Sequence, residues 1–87
     1  MGQALRHRLK TMSEYTTKEC REVVELLSPQ LKEVLRRKAG GLPNKQIADE
    51  LALSENTVRI YLERIYSRLR VNNIASATRV AIGAKLI

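Results

Sequence analysis

Two neighbouring stretches of helical periodicity, separated by a short break, constrain the fold of this chain more than any other feature. Between positions 44 and 69 the apolar residues recur at Ile47, Ala48 and Leu51, and then at Val58, Leu62, Ile65 and Leu69. Steps of three and four place such residues on one face of a helix. Ser54, a preferred N-cap residue, stands just before the second stretch. We therefore predict a short helix, a tight turn at Ala52-Leu53, and a longer helix of about Glu55 to Leu69.

The face of the longer helix that lies opposite its apolar stripe is polar and charged. At about 100° per residue, this face and its borders carry Asn56, Arg59, Ile60, Glu63, Arg64 and Ser67. Arginine pairs with guanine, asparagine with adenine and glutamate with cytosine, while an apolar side chain contacts the thymine methyl group. A recognition helix presents its N-terminal residues to the major groove. We predict that the bases of double-stranded DNA are contacted by Asn56, Arg59, Ile60 and Glu63. The alternative is an ordinary solvated face, on which Arg59 and Glu63 pair at i, i+4.

Phosphate contacts are expected from cations and helix N-termini at the borders of this face. Asn44 and Lys45 open the shorter helix, and Arg64 and Arg68 lie along the longer one. We predict that these four residues contact phosphate. The basic run at 36–38 also suits phosphate, but its position at the end of a helix is equally explained by the helix dipole and solvation.

The chain is small and basic, which excludes most other classes of function. It has 87 residues and a net charge of +7, with a pI of about 10.1. These values indicate one domain and favour a nucleic-acid partner, the alternative being a merely soluble basic protein. There is one histidine, in the N-terminal segment, and one cysteine, Cys20. We therefore expect no catalytic residues, no metal site, no cofactor and no enzymatic activity.

The sequence contains no signal for a membrane or for secretion. No apolar run approaches the ~20 residues of a membrane span, and no apolar core of a signal peptide follows the N-terminus. A lone cysteine cannot form an internal disulfide, so it does not imply an oxidising compartment. We expect a cytoplasmic protein with no membrane partner.

The N-terminal part divides into a tail and a helix. Residues 1–15 are basic and polar, and we predict a flexible tail that either stays solvated or touches phosphates. Met12 is an alternative start. Thr16 and Glu19 have the spacing of a capping box, and an apolar face follows, which predicts an extra helix over residues 16–27.

Residues 28–87 are predicted to form the main domain. Ser28-Pro29 begins a helix, Gly40-Gly41 ends it, and Asn72 or Asn73 caps a last helix from about Ile74 to Gly83. No strand-like alternation occurs anywhere in the chain. The predicted fold class is therefore all-α.

The last helix is apolar around most of its circumference, with only Ser76 and Arg79 clearly polar. A helix of this kind needs a second surface on which to be buried. We predict a twofold contact between two copies of the chain, formed by Ile74, Thr78, Ala81 and Ile82. The alternative is a helix that is simply well buried in its own domain.

Several linked motifs resemble the LuxR-type (GerE-type) helix-turn-helix domain of bacterial transcription regulators. The resemblance covers Leu27 to Ile87 and rests on Leu27-Ser28, Glu33-Val34-Leu35, Ala39-Gly40-Gly41, Asn44-Lys45-Gln46-Ile47-Ala48, Leu53-Ser54, Thr57-Val58-Arg59, Ile65, Arg68-Leu69, Val71, Ala77 and Leu86-Ile87. Each motif alone is weak, but together at the family spacing they are highly specific.

The resemblance implies a four-helix domain whose third helix, here about Glu55 to Leu69, enters the major groove. It also implies homodimers on inverted-repeat DNA, joined through the last helix, and a location at the bacterial nucleoid. Positions matching Arg59, Ile60 and Glu63 commonly face bases in the family, and those matching Thr57 and Arg68 commonly touch phosphate. The chain departs from the family pattern at Glu63, where lysine or arginine is common, at Tyr61, where histidine is common, and at Pro43, which replaces a serine or threonine cap.

Two functions of different class follow from these observations. The first is a sequence-specific, stand-alone transcription regulator, since most family members carry a large sensing domain that has no counterpart here. The second is an interaction module that binds another regulator or RNA polymerase through the extra helix around Val23 and Val24. Arg59→Ala separates the two, because it should abolish site-specific DNA binding only under the first hypothesis.

Overall fold

A computed structural model describes residues 15–87, and all regular structure within them is helical. The helices are α1 (Thr17–Val24), α2 (Pro29–Ala39), α3 (Asn44–Leu51), α4 (Glu55–Leu69) and α5 (Ile74–Gly83). The predicted all-α class, the helix-turn-helix pair and the extra N-terminal helix are therefore confirmed. None of the described helices is both long enough and apolar enough to cross a membrane.

Side-chain caps begin four of these helices, as the sequence predicted. Thr16 and Glu19 form the capping box of α1, in which the Glu19 amide donates to Thr16 Oγ1 at 3.1 Å and the Thr16 amide donates to Glu19 Oε1 at 3.0 Å. Ser28, Ser54 and Asn73 cap α2, α4 and α5 in the same way, each accepting from a backbone amide. By contrast, α3 follows Pro43 and has no side-chain cap.

Left-handed residues end four of the helices. Gly41, Ala52, Arg70 and Lys85 have positive φ, and in each case the next amide donates to the carbonyl five residues back, as in a Schellman motif. At the turn between α3 and α4, for example, the Leu53 amide donates to the Ala48 carbonyl at 2.8 Å. Ala52 thus holds φ 58° without being glycine, at a cost of about 1–2 kcal/mol. The turn fixes α4 relative to α3.

Helix α5 packs against α1, α2 and α4 and lies at the centre of the core. Ala77, Val80 and Ala81 of α5 are buried, and every fully buried residue within 15–87 is apolar. Helix α1 lies close to α5 because Gly83 has no side chain, and a Cβ there would be 2.6 Å from Cys20 Sγ.

The N-terminal region differs from the prediction in two respects. Helix α1 ends at Val24, so it is shorter than the predicted 16–27 segment. Tyr15, which belongs to the predicted tail of residues 1–15, is half-buried against the core, and its hydroxyl donates to the Leu69 carbonyl at 3.2 Å. Including Tyr15 in the tail was therefore wrong. Arg6, His7, Arg8 and Lys10, the basic residues of the predicted tail, lie outside the described residues.

Candidate nucleic-acid interface

Helix α4 buries one face and exposes the other, as its periodicity predicted. Val58, Leu62, Ile65 and Leu69 are buried in the core. The predicted base contacts are all exposed on the other side, and we define them as the reading face: Asn56, Arg59, Ile60 and Glu63. Ile60 is 37% exposed, so an apolar side chain is available among polar ones. The N-terminal turn of α4 is ordered by its cap, since the Thr57 amide donates to Ser54 Oγ at 3.0 Å.

Within the reading face, Arg59 contacts Asn56 and not Glu63, the partner at i, i+4 that its spacing suggested. Its guanidinium donates to the amide oxygen of Asn56, one turn earlier on α4. No ion pair joins Arg59 to Glu63 among residues 15–87. Because the partner is a neutral amide, this hydrogen bond does not offset the positive charge of Arg59.

A shallow cleft lies where the N-terminal ends of α3 and α4 meet. It has a volume of about 330 Å³ and is lined by Asn44, Glu55, Asn56 and Arg59. Lys38, near the end of α2, donates from Nζ to Asn44 Oδ1 at 2.9 Å. Three of the four lining residues were predicted DNA contacts, so the fold brings the α3 and α4 candidates onto one surface.

The remaining phosphate candidates differ in exposure and in their contacts. Lys45 and Arg68 are exposed. The Arg64 guanidinium lies over the ring of Tyr61, 5.7 Å from the ring centre, as in a cation–π interaction. Thr57 is half-buried, and its Oγ1 accepts a hydrogen bond from Ser54 Oγ at 2.9 Å.

Three of the four cations on α2 pair with carboxylates, whereas Lys38 donates to the amide oxygen of Asn44. Arg37 bridges two helices, with Nη1 at 2.7 Å from Glu33 Oε1 and Nε at 2.9 Å from Glu50 Oε1, while Arg36 also pairs with Glu33. The hydrogen bond from Arg37 is the main reason that the pKa of Glu33 lies below its usual value. This network joins α2 to α3. It indicates that the basic run at 36–38 has a structural role at Arg36 and Arg37.

The predicted dimer residues do not share one environment. Ile82 is 57% exposed, and Ile74 and Thr78 are half-buried, with Thr78 Oγ1 donating to the Ile74 carbonyl at 2.7 Å. Ala81 is 0% exposed, because it faces the core of its own domain. Including Ala81 in an interface between copies was therefore wrong.

Sequence reasoning also missed the place of Glu55 in the cleft and the contact of Lys38 with Asn44. Glu55 lines the cleft, and Lys38 holds Asn44 across the loop between α2 and α3. The Lys38 contact spans six positions through a glycine turn, a spacing that no helical periodicity predicts. Glu55 could be recognised locally as an acidic residue in the first turn, which stabilises a helix through its dipole. That pattern predicts a contribution to helix stability and does not predict a place in a binding site.

Comparisons with known proteins agree with the geometry. Residues 25–81 match the model of the family described as bacterial regulatory proteins, luxR family. Nodulation protein W of Bradyrhizobium diazoefficiens is 34% identical over 76 residues, which are 87% of this chain and 34% of that protein. Transcriptional regulatory protein FixJ of the same species is 28% identical over 75 residues, 86% of this chain and 37% of that protein. Nitrate/nitrite response regulator protein NarL of Escherichia coli is 32% identical over 54 residues, 62% of this chain and 25% of that protein.

The chain thus spans about a third of the length of the two relatives from Bradyrhizobium. Only 63 residues follow Val24, so the 76 residues matched by nodulation protein W include α1. Similarity to that relative therefore extends beyond the family model to the helix that packs on α5. With the motif, its exposed face and the family match in agreement, the chain belongs to the luxR family of bacterial regulatory proteins and carries a LuxR-type helix-turn-helix DNA-binding domain.

Proposed function

We propose that this chain binds double-stranded DNA sequence-specifically, as a homodimer on an inverted-repeat operator, with α4 in the major groove. The observation that carries the proposal is the reading face, where Asn56, Arg59, Ile60 and Glu63 are exposed together on the first turns of a capped helix. These side chains offer a cation, an amide, an apolar group and a carboxylate, which are the chemistries that distinguish base edges. Such a role places the protein in the bacterial cytoplasm, at the nucleoid.

The positions of the cations support this orientation. Lys45 at the start of α3 and Arg68 in the last turn of α4 are both exposed. A cation that contacts a phosphate releases counterions and contributes affinity without sequence information. We assign Asn44, Lys45, Thr57, Arg64 and Arg68 to the DNA backbone.

The dimer rests on the exposed side of α5. Ile82 is an exposed isoleucine on a helix whose other face is fully occupied by the core. A twofold contact there, with Ile74 and Thr78 at its edge, would cover this apolar surface and present two reading faces to half-sites about one DNA turn apart. Ala81 takes no part.

The test compares Arg59→Ala with Arg21→Ala, which removes the same charge from an exposed site on α1. The probe is the duplex recovered by selection from random-sequence DNA, with a scrambled duplex for comparison. Arg59→Ala should lower affinity for the selected duplex by about 1–3 kcal/mol per half-site, while Arg21→Ala changes affinity for both duplexes equally and weakly. Equal effects of the two variants would overturn the proposal and favour the interaction-module hypothesis.

A further inference from the structure

Two arginines of α4 are each held by an uncharged neighbour on the same helix. Asn56 accepts a hydrogen bond from Arg59 three residues later, and the ring of Tyr61 lies 5.7 Å below the guanidinium of Arg64, also three residues later. Tyr61 is half-buried and packs against the core, so its ring is a fixed support. Asn56 lies in the first turn, which Ser54 holds in place.

Most cations of α2 are held differently, although Lys38 also donates to a neutral amide oxygen. Lys32 pairs with Glu25 at 3.4 Å, and Arg37 pairs with Glu33 and Glu50. Neither Arg59 nor Arg64 forms an ion pair with another residue of the described range 15–87. A carboxylate partner would orient an arginine but cancel its charge. An amide oxygen or an aromatic ring orients it while leaving the charge for a ligand.

Orientation of this kind lowers the cost of binding. A free arginine loses rotamer entropy when it is immobilised on a ligand, and part of that loss is avoided if the side chain is already held. A guanidinium on a ring also keeps its N–H groups at the edge, where they can still donate to a second partner.

We propose that Asn56 and Tyr61 are positioning residues, Asn56 acting through Arg59 on base recognition and Tyr61 acting through Arg64 on a phosphate. This inference rests on the proposed function. It changes the role of Asn56, whose amide oxygen supports the neighbouring arginine and does not read a base by itself. It also gives a role to Tyr61, which lies at a position where this chain departs from the family pattern.

The test is a pair of double-mutant cycles on binding to the selected duplex, at low salt so that the weakest variant is still measurable. Asn56→Ala alone should weaken specific binding about three- to tenfold per half-site, from the ordering cost of one side chain. In an Arg59→Ala background, Asn56→Ala should change affinity less than twofold. An equal loss in both backgrounds would show that Asn56 contacts DNA independently, and the assignment would fail.

The second cycle joins Tyr61 to Arg64. Tyr61→Leu should weaken binding about two- to fivefold per half-site, the range of an exposed cation–π contact, and should have no effect in an Arg64→Ala background. Tyr61→Phe should retain full affinity because it keeps the ring. Loss of binding in Tyr61→Phe would mean that the hydroxyl itself contacts DNA, which would overturn the positioning role.

Salt dependence distinguishes the phosphate role of Arg64 from the base-recognition role of Arg59. Arg64→Ala should reduce the slope of log K against log salt by about 0.9 per protomer and weaken the selected and scrambled duplexes alike, whereas Asn56→Ala should weaken the selected duplex more. The Glu25–Lys32 cycle is the matched control and should leave both affinities unchanged. If Arg59→Ala itself has no effect on specific binding, the proposed function fails. If Arg59→Ala abolishes specificity and the cycles are additive, only the positioning roles fail.

Discussion

Substitution by glutamate should destabilise the fold at Ala81 of α5, whereas at the adjacent Ile82 it should leave the fold intact and weaken the dimer. Ala81 is 0% exposed and Ile82 is 57% exposed, so Ala81→Glu places a carboxyl in the core whereas Ile82→Glu places one on the surface. The cheapest way to bury the carboxyl is to protonate it. At about pH 7, some 2.7 above the usual glutamate pKa, this costs about 4 kcal/mol, and overpacking adds about 1–3 kcal/mol. The sum is comparable to the whole stability of a small domain.

We therefore expect Ala81→Glu to be largely unfolded at neutral pH by far-ultraviolet circular dichroism. The pKa of the buried carboxyl would be raised, so its neutral form is favoured in the folded state. The penalty then shrinks as pH falls toward the ordinary glutamate pKa of about 4.3 and grows as pH rises. The stability of Ala81→Glu relative to wild type should accordingly recover in mild acid.

Ile82→Glu should fold normally, with a free energy of unfolding for the protomer within about 0.5 kcal/mol of wild type. Burying the exposed half of Ile82 contributes about 1–1.5 kcal/mol to the free energy of dimerisation, and a twofold interface contains one Ile82 from each protomer. The variant should therefore weaken the dimer by about 2–3 kcal/mol, or about 30- to 150-fold in Kd, measured by sedimentation equilibrium. A wild-type dimer constant for Ile82→Glu would refute the α5 interface, and wild-type stability for Ala81→Glu would refute the placement of Ala81 in the core.

Three further predictions concern the helices around the site. Gly83→Ala should lower the free energy of unfolding by about 1–3 kcal/mol by overpacking, because its Cβ would lie 2.6 Å from Cys20 Sγ. Cys20→Ala should then lower the free energy of unfolding less in the Gly83→Ala variant than in wild type. Additive effects of the two substitutions in urea denaturation would contradict the contact. Ser54→Ala should lower the free energy of unfolding by about 1 kcal/mol through loss of the α4 cap, and it should also weaken operator binding. An unchanged free energy of unfolding would show that the cap is dispensable. Arg37 holds the pKa of Glu33 below its usual value, so the contribution of Glu33 to stability is present above that usual value and is lost as pH falls through its lowered pKa. The difference in free energy of unfolding between wild type and Glu33→Gln should therefore become smaller as pH falls from about 7 to about 3. A difference that does not change with pH would argue against the ion pair.

Local sequence signals predicted the starts of the helices better than their ends. Capping depends on residues within one turn, so Ser28, Ser54 and Asn73 could be recognised from spacing alone. The left-handed ends at Ala52 and Arg70 could not, because neither residue favours positive φ. Their conformation follows from the packing of the next segment against the core, a tertiary effect with no local signal.

The candidate site was predictable to a similar degree. Helical periodicity indicated which side of α4 is exposed, but it does not determine which of two neighbours a long side chain meets, and Arg59 contacts Asn56 where spacing alone also allowed Glu63. Small apolar residues raise a related difficulty on α5. A core position and an interface position both select alanine or isoleucine, so only the packing of α1 and α2 around α5 distinguishes Ala81 from Ile82.

Binding-site selection from random duplex DNA, with affinities repeated across a range of salt, tests the central claim most directly. Recognition by two copies of α4 predicts enrichment of an inverted repeat whose half-sites lie about one helical turn apart, with a salt slope near −0.9 for each phosphate neutralised. Arg59→Ala should lose the enriched sequence. Salt-sensitive binding without any enriched sequence would contradict the account, because a basic surface alone would then explain the affinity.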